Sequence, residues 1–411
     1  MSFLVFGLNK YAVPSGDSEQ YNLYAKNIAL GNGYTADSEG KGFSNYREPG
    51  YPLFLSLIYK TLGVENFKAV KMAQMVLLAI TAFVVFKTFK LYNFTGTGVI
   101  TGSTFALLPL YAYQVNLLQS ELWTIFLLIS SFFLILKILE KKENISHYIL
   151  LGIVFALLGL TRVHTLLMPL IFAGIFYWKN KPLRHIITFI AIVVITVLLW
   201  TTYVYSNIGT FAITEGRGEL HLYTRSIRAT LPYNQQIHYF VSWIKQSALN
   251  GVSNEILEKY DARALTIQYG ELVNEGITED ELREESIARI KQNLGRYLFG
   301  NPMEIAKMMF VEHLFPPVSP LLNRTVRVMI YLVIYLIFIM GIVSSFMFPK
   351  NKQFHTLINV GLIYIAYHWV VLSFFDVIPR FNTPYLGLYL TIGIAGIVNQ
   401  IEGIKQKVKN L

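Results

Sequence analysis

The sequence contains no cysteine and few charged residues. Its 411 residues include 0 Cys, and only 15% are Asp, Glu, Lys or Arg. The lack of cysteine excludes disulfides, thiol catalysis and cysteine-ligated zinc. The formal net charge is +10, but the basic residues recur in short clusters between apolar runs and form no basic domain. The charge pattern therefore argues against a nucleic-acid-binding protein.

Apolar residues, by contrast, are abundant. Hydrophobic residues make up 54% of the chain, aromatic residues 15%, and the mean hydropathy is +0.44. These values indicate a polytopic, all-α membrane protein. The N-terminal "MSFLVFGL" lacks the basic start of a signal peptide, and it is shorter than the roughly 20 residues that span a bilayer.

Nine apolar runs are long enough to be predicted as membrane spans: roughly 69–87, 96–118, 120–138, 147–161, 164–178, 185–205, 326–348, 355–375 and 382–400. We predict four segments, namely an N-terminal outer loop (1–68), a first set of membrane helices (69–205), a large helical outer loop (206–325), and C-terminal helices with a basic tail (326–411).

The distribution of lysines predicts which connections face the cytoplasm. Every second connection is basic, as the positive-inside rule requires of correctly counted spans. The basic connections carry Lys87 and Lys90, then Lys137, Lys141 and Lys142, then Lys179, Lys181 and Arg184, then Lys350 and Lys352, and finally Lys405, Lys407 and Lys409. The short connections between them hold only Arg162 and Arg380. Residues 9–68 and 206–325 are therefore predicted to share the outer face with three short turns.

The fourth and fifth spans are short, and the turn between them carries Arg162 and His164. About 14 residues reach only about 21 Å, less than the roughly 30 Å hydrocarbon thickness. We therefore expect the turn "LTRVHTL" to lie at membrane depth, where an arginine needs an anionic partner or a wet cavity. For His164 a polar lining role is favoured over a metal role, because no second histidine stands at ligand spacing.

Two acidic residues are candidates for chemistry. Asp17 follows a Pro-Ser-Gly turn and precedes an amphipathic run, so it or Ser18 would cap a helix, or it would act as a general base. Glu121 opens a span and would serve as an interfacial cap or as a second acid. In "YREPGYPLF", the prolines are expected to delay the helix until "LFLSLIYKTLG", which leaves Arg47 and Glu48 unexplained by a simple turn.

The outer segment 206–325 is predicted to be mainly helical. We expect a helix near 253–268, then one whose start has the capping-box spacing of Thr278 and Glu281, and whose run ends at Gly300 and Pro302. Arg217 and Arg225 are interpreted as solvated charges. Arg380 is either an interfacial anchor or a phosphate contact.

Six stretches resemble, in order, the GT-C superfamily of polyprenyl-phosphate-sugar glycosyltransferases, in the branch of the protein O-mannosyltransferases and the lipid A aminoarabinose transferase. They are "GDSEQYNLYAKNIALGNGY", "REPGYPLFLSLIYKTLG", "SELWTIFLL", "GIVFALLGLTRVHTLLMPL", "LREESIARIKQNLGRYLFGNP" and "RFNTPYLGLYL". The resemblance implies a GT-C-like fold with about nine to ten transmembrane helices. Relatives begin with a membrane helix before the first acidic loop, so we expect one ahead of the given start.

The resemblance also implies an inverting transferase on the outer face of a bacterial plasma membrane. Asp17 would be the base, Glu121 a second acidic residue near the site or near a divalent cation, and Arg47, Arg162 and Arg380 the lipid-phosphate pocket, with His164 lining it. The implied partners are a polyprenyl-phosphate sugar donor, a lipid, glycan or protein acceptor, and membrane lipids, but no nucleic acid. No cofactor is assigned, because Asp17 and Glu121 are too few ligands to argue for a metal. Tyr203 stands where relatives often carry Arg, which implies a different donor site in part.

Two other functions fit parts of the sequence. An O-antigen-type polymerase or ligase also combines many spans with a large outer loop, and it would depend on Arg217, His221 or Arg225. A lipid-linked sugar transporter or flippase would show inverted repeats, but no second matching half is visible.

Overall fold

The computed structural model describes residues 14, 16–140, 144–214, 217–249, 255–309, 324–347, 354–375 and 379–409. Every regular element within these ranges is a helix, which confirms the all-α prediction. Among the basic connections, Lys141, Lys142, Lys350 and Lys352 lie outside the described residues, as does the N-terminal "MSFLVFGL".

Eighteen α-helices are described. The first nine are α1 (Asp17–Leu30), α2 (Gly50–Leu62), α3 (Phe67–Lys90), α4 (Thr95–Leu107), α5 (Pro109–Gln114), α6 (Glu121–Glu140), α7 (Ile145–Gly159), α8 (Met168–Trp178) and α9 (Leu183–Ile208). The others are α10 (Arg217–Ala229), α11 (Tyr233–Leu249), α12 (Glu255–Tyr260), α13 (Ala262–Asn274), α14 (Glu279–Gln292), α15 (Leu294–Met309), α16 (Arg324–Met347), α17 (His355–Ser373) and α18 (Leu386–Lys409).

Six described helical segments are long and apolar enough to cross a membrane: Phe67–Lys90, Glu121–Glu140, Leu183–Ile208, Val328–Phe346, His355–Ser373 and Phe381–Glu402. Two shorter apolar segments, Ile145–Gly159 and Val163–Trp178, match the predicted short fourth and fifth spans. The chain is therefore an integral membrane protein. The count of nine to ten spans stays a prediction.

Two predicted helix boundaries are wrong, and proline explains both. The run 96–118 is broken at Leu108, whose ψ of 118° is extended, because the residue before Pro109 disfavours the helical region. Helix α2 begins at Gly50 and not after Pro52. Proline is tolerated in the first turn of a helix, because an N–H at that position would have no partner within the helix.

The chain forms two compact units, the first comprising Met1–Ile213, Leu332–Ile365 and Pro384–Leu411. Within this unit, helices approach closely at glycines. A Cβ on Gly98 or Gly102 of α4 would lie 2.8 Å from a backbone carbonyl oxygen of α3. At Gly341 of α16, an added Cβ would collide with the backbone of Gly393 in α18. Such contacts suit membrane helices, which associate through close packing of small residues.

The second unit comprises Thr214–Tyr331 and Ala366–Thr383. The predicted capping box is confirmed, since Thr278 Oγ1 accepts a hydrogen bond from Glu281 N, and the Glu281 carboxylate accepts one from Thr278 N. The predicted helix near 253–268 is instead the pair α12 and α13, and residues 253 and 254 lie outside the described ranges. The two helices are separated at Asp261, whose backbone is extended (ψ 156°) at the start of α13.

Helix α15 runs through Gly300 and Pro302, so the predicted end there is wrong. Arg225 supports the turn before Pro302, because its Nη2 donates to Tyr297 O (3.0 Å) and to Asn301 Oδ1 (2.8 Å). Arg225 is 1% exposed, so its interpretation as a solvated charge is also wrong.

Candidate active site

Asp17 and Arg47 form an ion pair in the first unit, within the segment that the sequence predicts to be an outer loop. Arg47 Nη2 lies 2.5 Å from Asp17 Oδ1. The Asp17 side chain is 26% exposed, whereas that of Arg47 is 4% exposed. Gly16 occupies the N-cap of α1 and Asp17 is its first residue, so the interpretation of Asp17 or Ser18 as the cap is wrong. Asp17 instead presents its carboxylate to a buried guanidinium.

The guanidinium of Arg47 is held on several sides. Its Nε donates to Gln20 Oε1 (2.5 Å), and its Cζ lies 5.3 Å from the ring centroid of Tyr21 and 5.5 Å from that of Tyr46. Charge-assisted bonds and aromatic faces both restrict a planar guanidinium. Its remaining nitrogen, Nη1, is buried and has no hydrogen-bond partner within the described ranges.

Buried tyrosines fix the backbone around Arg47. Tyr34 OH donates to Arg47 O (2.8 Å), and Tyr24 OH lies 2.7 Å from Ser44 Oγ. Burial raises the pKa of Tyr34 well above its usual value of 10.0, so this hydroxyl keeps its proton and its role as donor. The ring of Tyr34 packs edge-on against Trp200 of α9, with 4.8 Å between centroids.

Tyr203 also supports this loop. Its ring lies 5.6 Å from that of Phe43, in an edge-on arrangement. The position at which relatives often carry Arg thus bears an aromatic residue that packs against the loop.

The segment after Arg47 docks on the turn that carries Arg162. Gly50 N donates to Leu160 O (2.8 Å), and a Cβ at Gly50 would collide with Thr161 Oγ1. In the fold, the motif "YREPGYPLF" therefore brings the loop backbone into contact with the end of α7. Only glycine fits that contact.

Glu121 and Arg162 form a second ion pair in the same unit. Arg162 Nη2 lies 3.2 Å from Glu121 Oε1, and the side chains are 12% and 1% exposed, respectively. Arg162 therefore has the anionic partner that its predicted depth requires. Glu121 is the first residue of α6 and its side chain is buried within the protein. Its interpretation as an interfacial cap stays a prediction. His164 follows in a short 3-10 turn, Val163–Thr165, and is partly buried.

Tyr51 and Tyr21 connect the outer loop to the segment preceding Glu121. Tyr51 OH donates to Gln74 Oε1 (3.1 Å), whose amide Nε2 donates to Val115 O (2.9 Å). The hydroxyl of Tyr21 lies 3.5 Å from Ser120 Oγ. Both ion pairs are thus built on elements that contact one another.

Arg380 belongs to the second unit and lies in the 3-10 segment Pro379–Tyr385. The side chains of Arg380 and Arg217 are outside the described part of the structure. Within the described ranges, no group of three or more His, Asp or Glu residues could hold a metal. The sequence does not single out Gln20, Tyr34 and Asn45, because amide and phenol side chains in a polar loop carry no local signal of contact.

These features define the class of the protein as a polytopic, all-α membrane protein. The whole-chain fold is similar to that of the archaeal oligosaccharyltransferase AglB from Archaeoglobus fulgidus, whose structure is in complex with an inhibitory peptide and a dolichol-phosphate. The TM-score is 0.54 at 10% identity, and the match covers 98% of this chain and 49% of that one. The chain thus spans about half the length of this structural relative.

The sequence itself matches a family model over part of its length. Residues 47–205 match the family described as dolichyl-phosphate-mannose-protein mannosyltransferase. No curated protein matches the sequence. The matched range begins at Arg47 and includes Glu121, Arg162 and His164. Together, the family model and the shared fold confirm the predicted resemblance to GT-C glycosyltransferases.

Proposed function

We propose that this protein transfers a sugar from a polyprenyl-phosphate-linked donor to an acceptor hydroxyl. The transfer takes place on the outer face of a bacterial plasma membrane, and the acceptor is a lipid, a glycan or a protein. The observation that carries the proposal is the presence of two carboxylate-arginine pairs, Asp17 with Arg47 and Glu121 with Arg162, on elements that meet at Gly50 and Leu160.

The chemistry is a single displacement with inversion at the anomeric carbon. The acceptor oxygen attacks that carbon and its proton passes to Asp17, the general base. The bond between the anomeric carbon and the phosphate oxygen breaks, and polyprenyl phosphate leaves with the bonding electrons. Arg47 and Arg162 stabilise the charge that develops on this phosphate.

The local geometry suits these roles. Asp17 is partly exposed, so an acceptor can reach its carboxylate, whereas Arg47 is buried and has a nitrogen left for a phosphate oxygen. Glu121 holds Arg162 through a buried ion pair. A divalent cation bound by Asp17 or by Glu121 would need water or phosphate oxygens to complete its shell. Arg380 and His164 stay candidate phosphate contacts.

The test is a transfer assay in liposomes with a panel of polyprenyl-phosphate sugars and a membrane extract as acceptor. Asp17→Asn keeps the size of the side chain and removes the base, so we expect turnover to fall by about 10²-fold or more. Glu39→Gln is the matched control. It removes one negative charge from the same loop, at a side chain that is 68% exposed and pairs with the exposed Lys41.

Full activity of Asp17→Asn would disprove the role of Asp17 as base. Transfer of no sugar by the wild-type chain, in a preparation that binds polyprenyl phosphate, would disprove the transferase itself. The polymerase alternative predicted dependence on Arg225. Because Arg225 holds α15 internally, loss of activity on its substitution would not by itself support that alternative.

A further inference from the structure

Asn45 and Arg47 present two buried nitrogen donors within three residues of the outer loop. Asn45 is 3% exposed and Arg47 is 4% exposed. Asn45 Nδ2 and Arg47 Nη1 are both buried, and neither has a hydrogen-bond partner in the part of the chain that the structure describes. A buried donor without an acceptor costs about 1–3 kcal/mol. Two of them so close in sequence indicate an acceptor that is not part of these residues.

The backbone that carries both donors is fixed. On one side of Asn45, Ser44 N donates to Tyr34 O (3.1 Å). On the other side, Arg47 O accepts from Tyr34 OH (2.8 Å). Tyr34 thus forms hydrogen bonds with Ser44, directly before Asn45, and with Arg47, two residues after it. A segment held in this way cannot readily turn its side chains out to water.

The chemistry of the two donors selects an anion. A guanidinium nitrogen and an amide nitrogen both donate, and the guanidinium carries a positive charge. The Nε and Nη2 atoms of Arg47 donate to Gln20 and Asp17, and Nη1 is left without a partner among the described residues. A phosphate oxygen accepts several hydrogen bonds at once and gains from the charge.

We propose that Asn45 is a binding residue for the phosphate of the lipid donor, acting beside Arg47, and that Gln20 positions the guanidinium for this contact. The inference rests on the proposed function, since that function supplies the phosphate. In this arrangement, Arg47 binds Asp17 with one nitrogen and the phosphate with another, so the base and the leaving group are held by the same side chain.

The experiment measures binding of a polyprenyl phosphate, and of the corresponding polyprenol, to the full chain in detergent. Asn45→Ala removes the amide donor, and we expect it to weaken polyprenyl phosphate binding by about 10-fold or more, as for one hydrogen bond to a charged group. Asn45→Asp replaces the donor by a negative charge and should weaken that binding further. Binding of the polyprenol should not change in either variant.

Asn274→Asp is the control for the charge change, because Asn274 is exposed at the end of α13. Binding of polyprenyl phosphate by both Asn45 variants as tightly as by the wild type would overturn the inference, because a water molecule would then satisfy the amide. Equal loss of polyprenyl phosphate and polyprenol binding would also overturn it, since Asn45 would then only support the fold. Failure of the wild-type chain to prefer the phosphate would instead overturn the proposed function.

Discussion

Replacing Gly50 by alanine tests whether the outer loop is held on the turn after α7. Gly50 N donates to Leu160 O at 2.8 Å. A Cβ at this position would lie 3.0 Å from both the carbonyl carbon and the carbonyl oxygen of Leu160, and closer still to Thr161 Oγ1. Two of these atoms belong to the backbone and cannot rotate away. The added methyl group must therefore push the loop from the turn.

The expected cost follows from two terms. Loss of the backbone hydrogen bond costs about 1 kcal/mol, and forcing an extra carbon into a packed contact costs about 1–3 kcal/mol. Alanine recovers less than about 1 kcal/mol through its better helix propensity. We therefore expect Gly50→Ala to lower the free energy of unfolding by about 1–3 kcal/mol. Because the same shift moves Arg47, donor binding should weaken as well.

The assay is thermal unfolding in detergent at a fixed heating rate, together with binding of polyprenyl phosphate. Gly174→Ala is the control, since no atom lies within 4 Å of a Cβ at that helical glycine. Thr161→Ala removes the atom that lies nearest to the added methyl, so the double variant should recover part of the loss. The reasoning is refuted if Gly50→Ala melts and binds like Gly174→Ala, or if the double variant is simply additive.

Two further predictions concern the second unit. Arg225→Met removes the nitrogen that donates to both Tyr297 O and Asn301 Oδ1, so we expect the free energy of unfolding to fall by about 2–4 kcal/mol; a melting temperature equal to that of the wild type would contradict this. Hydrogen bonds from Thr278 lower the pKa of the Glu281 carboxyl below its usual value of 4.5. The stabilisation of the folded state by these bonds is therefore present above pH 4.5 and is lost as the pH falls through the lowered pKa. Thr278→Ala should therefore reduce the pH dependence of melting below pH 4.5, and parallel curves for the two proteins would refute this assignment.

Local signals in the sequence were enough to predict most helices and one cap. The predicted span 69–87 corresponds to α3, Phe67–Lys90, because a continuous apolar run followed by lysines defines a membrane helix without reference to its neighbours. The capping box at Thr278 and Glu281 also depends on residues only three positions apart.

Errors arose where a distant residue decides the local structure. Pro302 would end an isolated helix, but Arg225, 76 residues before Asn301, ties the turn that precedes it. The candidate site has the same limit. The sequence predicted that Asp17 and Arg47 share the outer loop, but their pairing joins residues 30 positions apart through contacts that no periodic pattern encodes.

The charges of the two ion pairs constrain how a donor would bind. Asp17 and Glu121 balance Arg47 and Arg162, so these four side chains sum to zero before any phosphate arrives. A sugar linked through a phosphodiester adds one negative charge to a site that is largely buried, and an unbalanced buried charge is costly. Unless Arg380 supplies the compensating positive charge, that charge is either a cation beside a carboxylate or a proton on one. In the first case, donor affinity rises with a divalent cation such as Mg²⁺; in the second, it rises as the pH falls.

Because Asp17 must be ionised to accept the proton of the acceptor, protonation would favour donor binding at the expense of turnover, whereas a cation would favour both. A measurement of donor affinity and turnover across pH, with and without Mg²⁺, separates these two mechanisms.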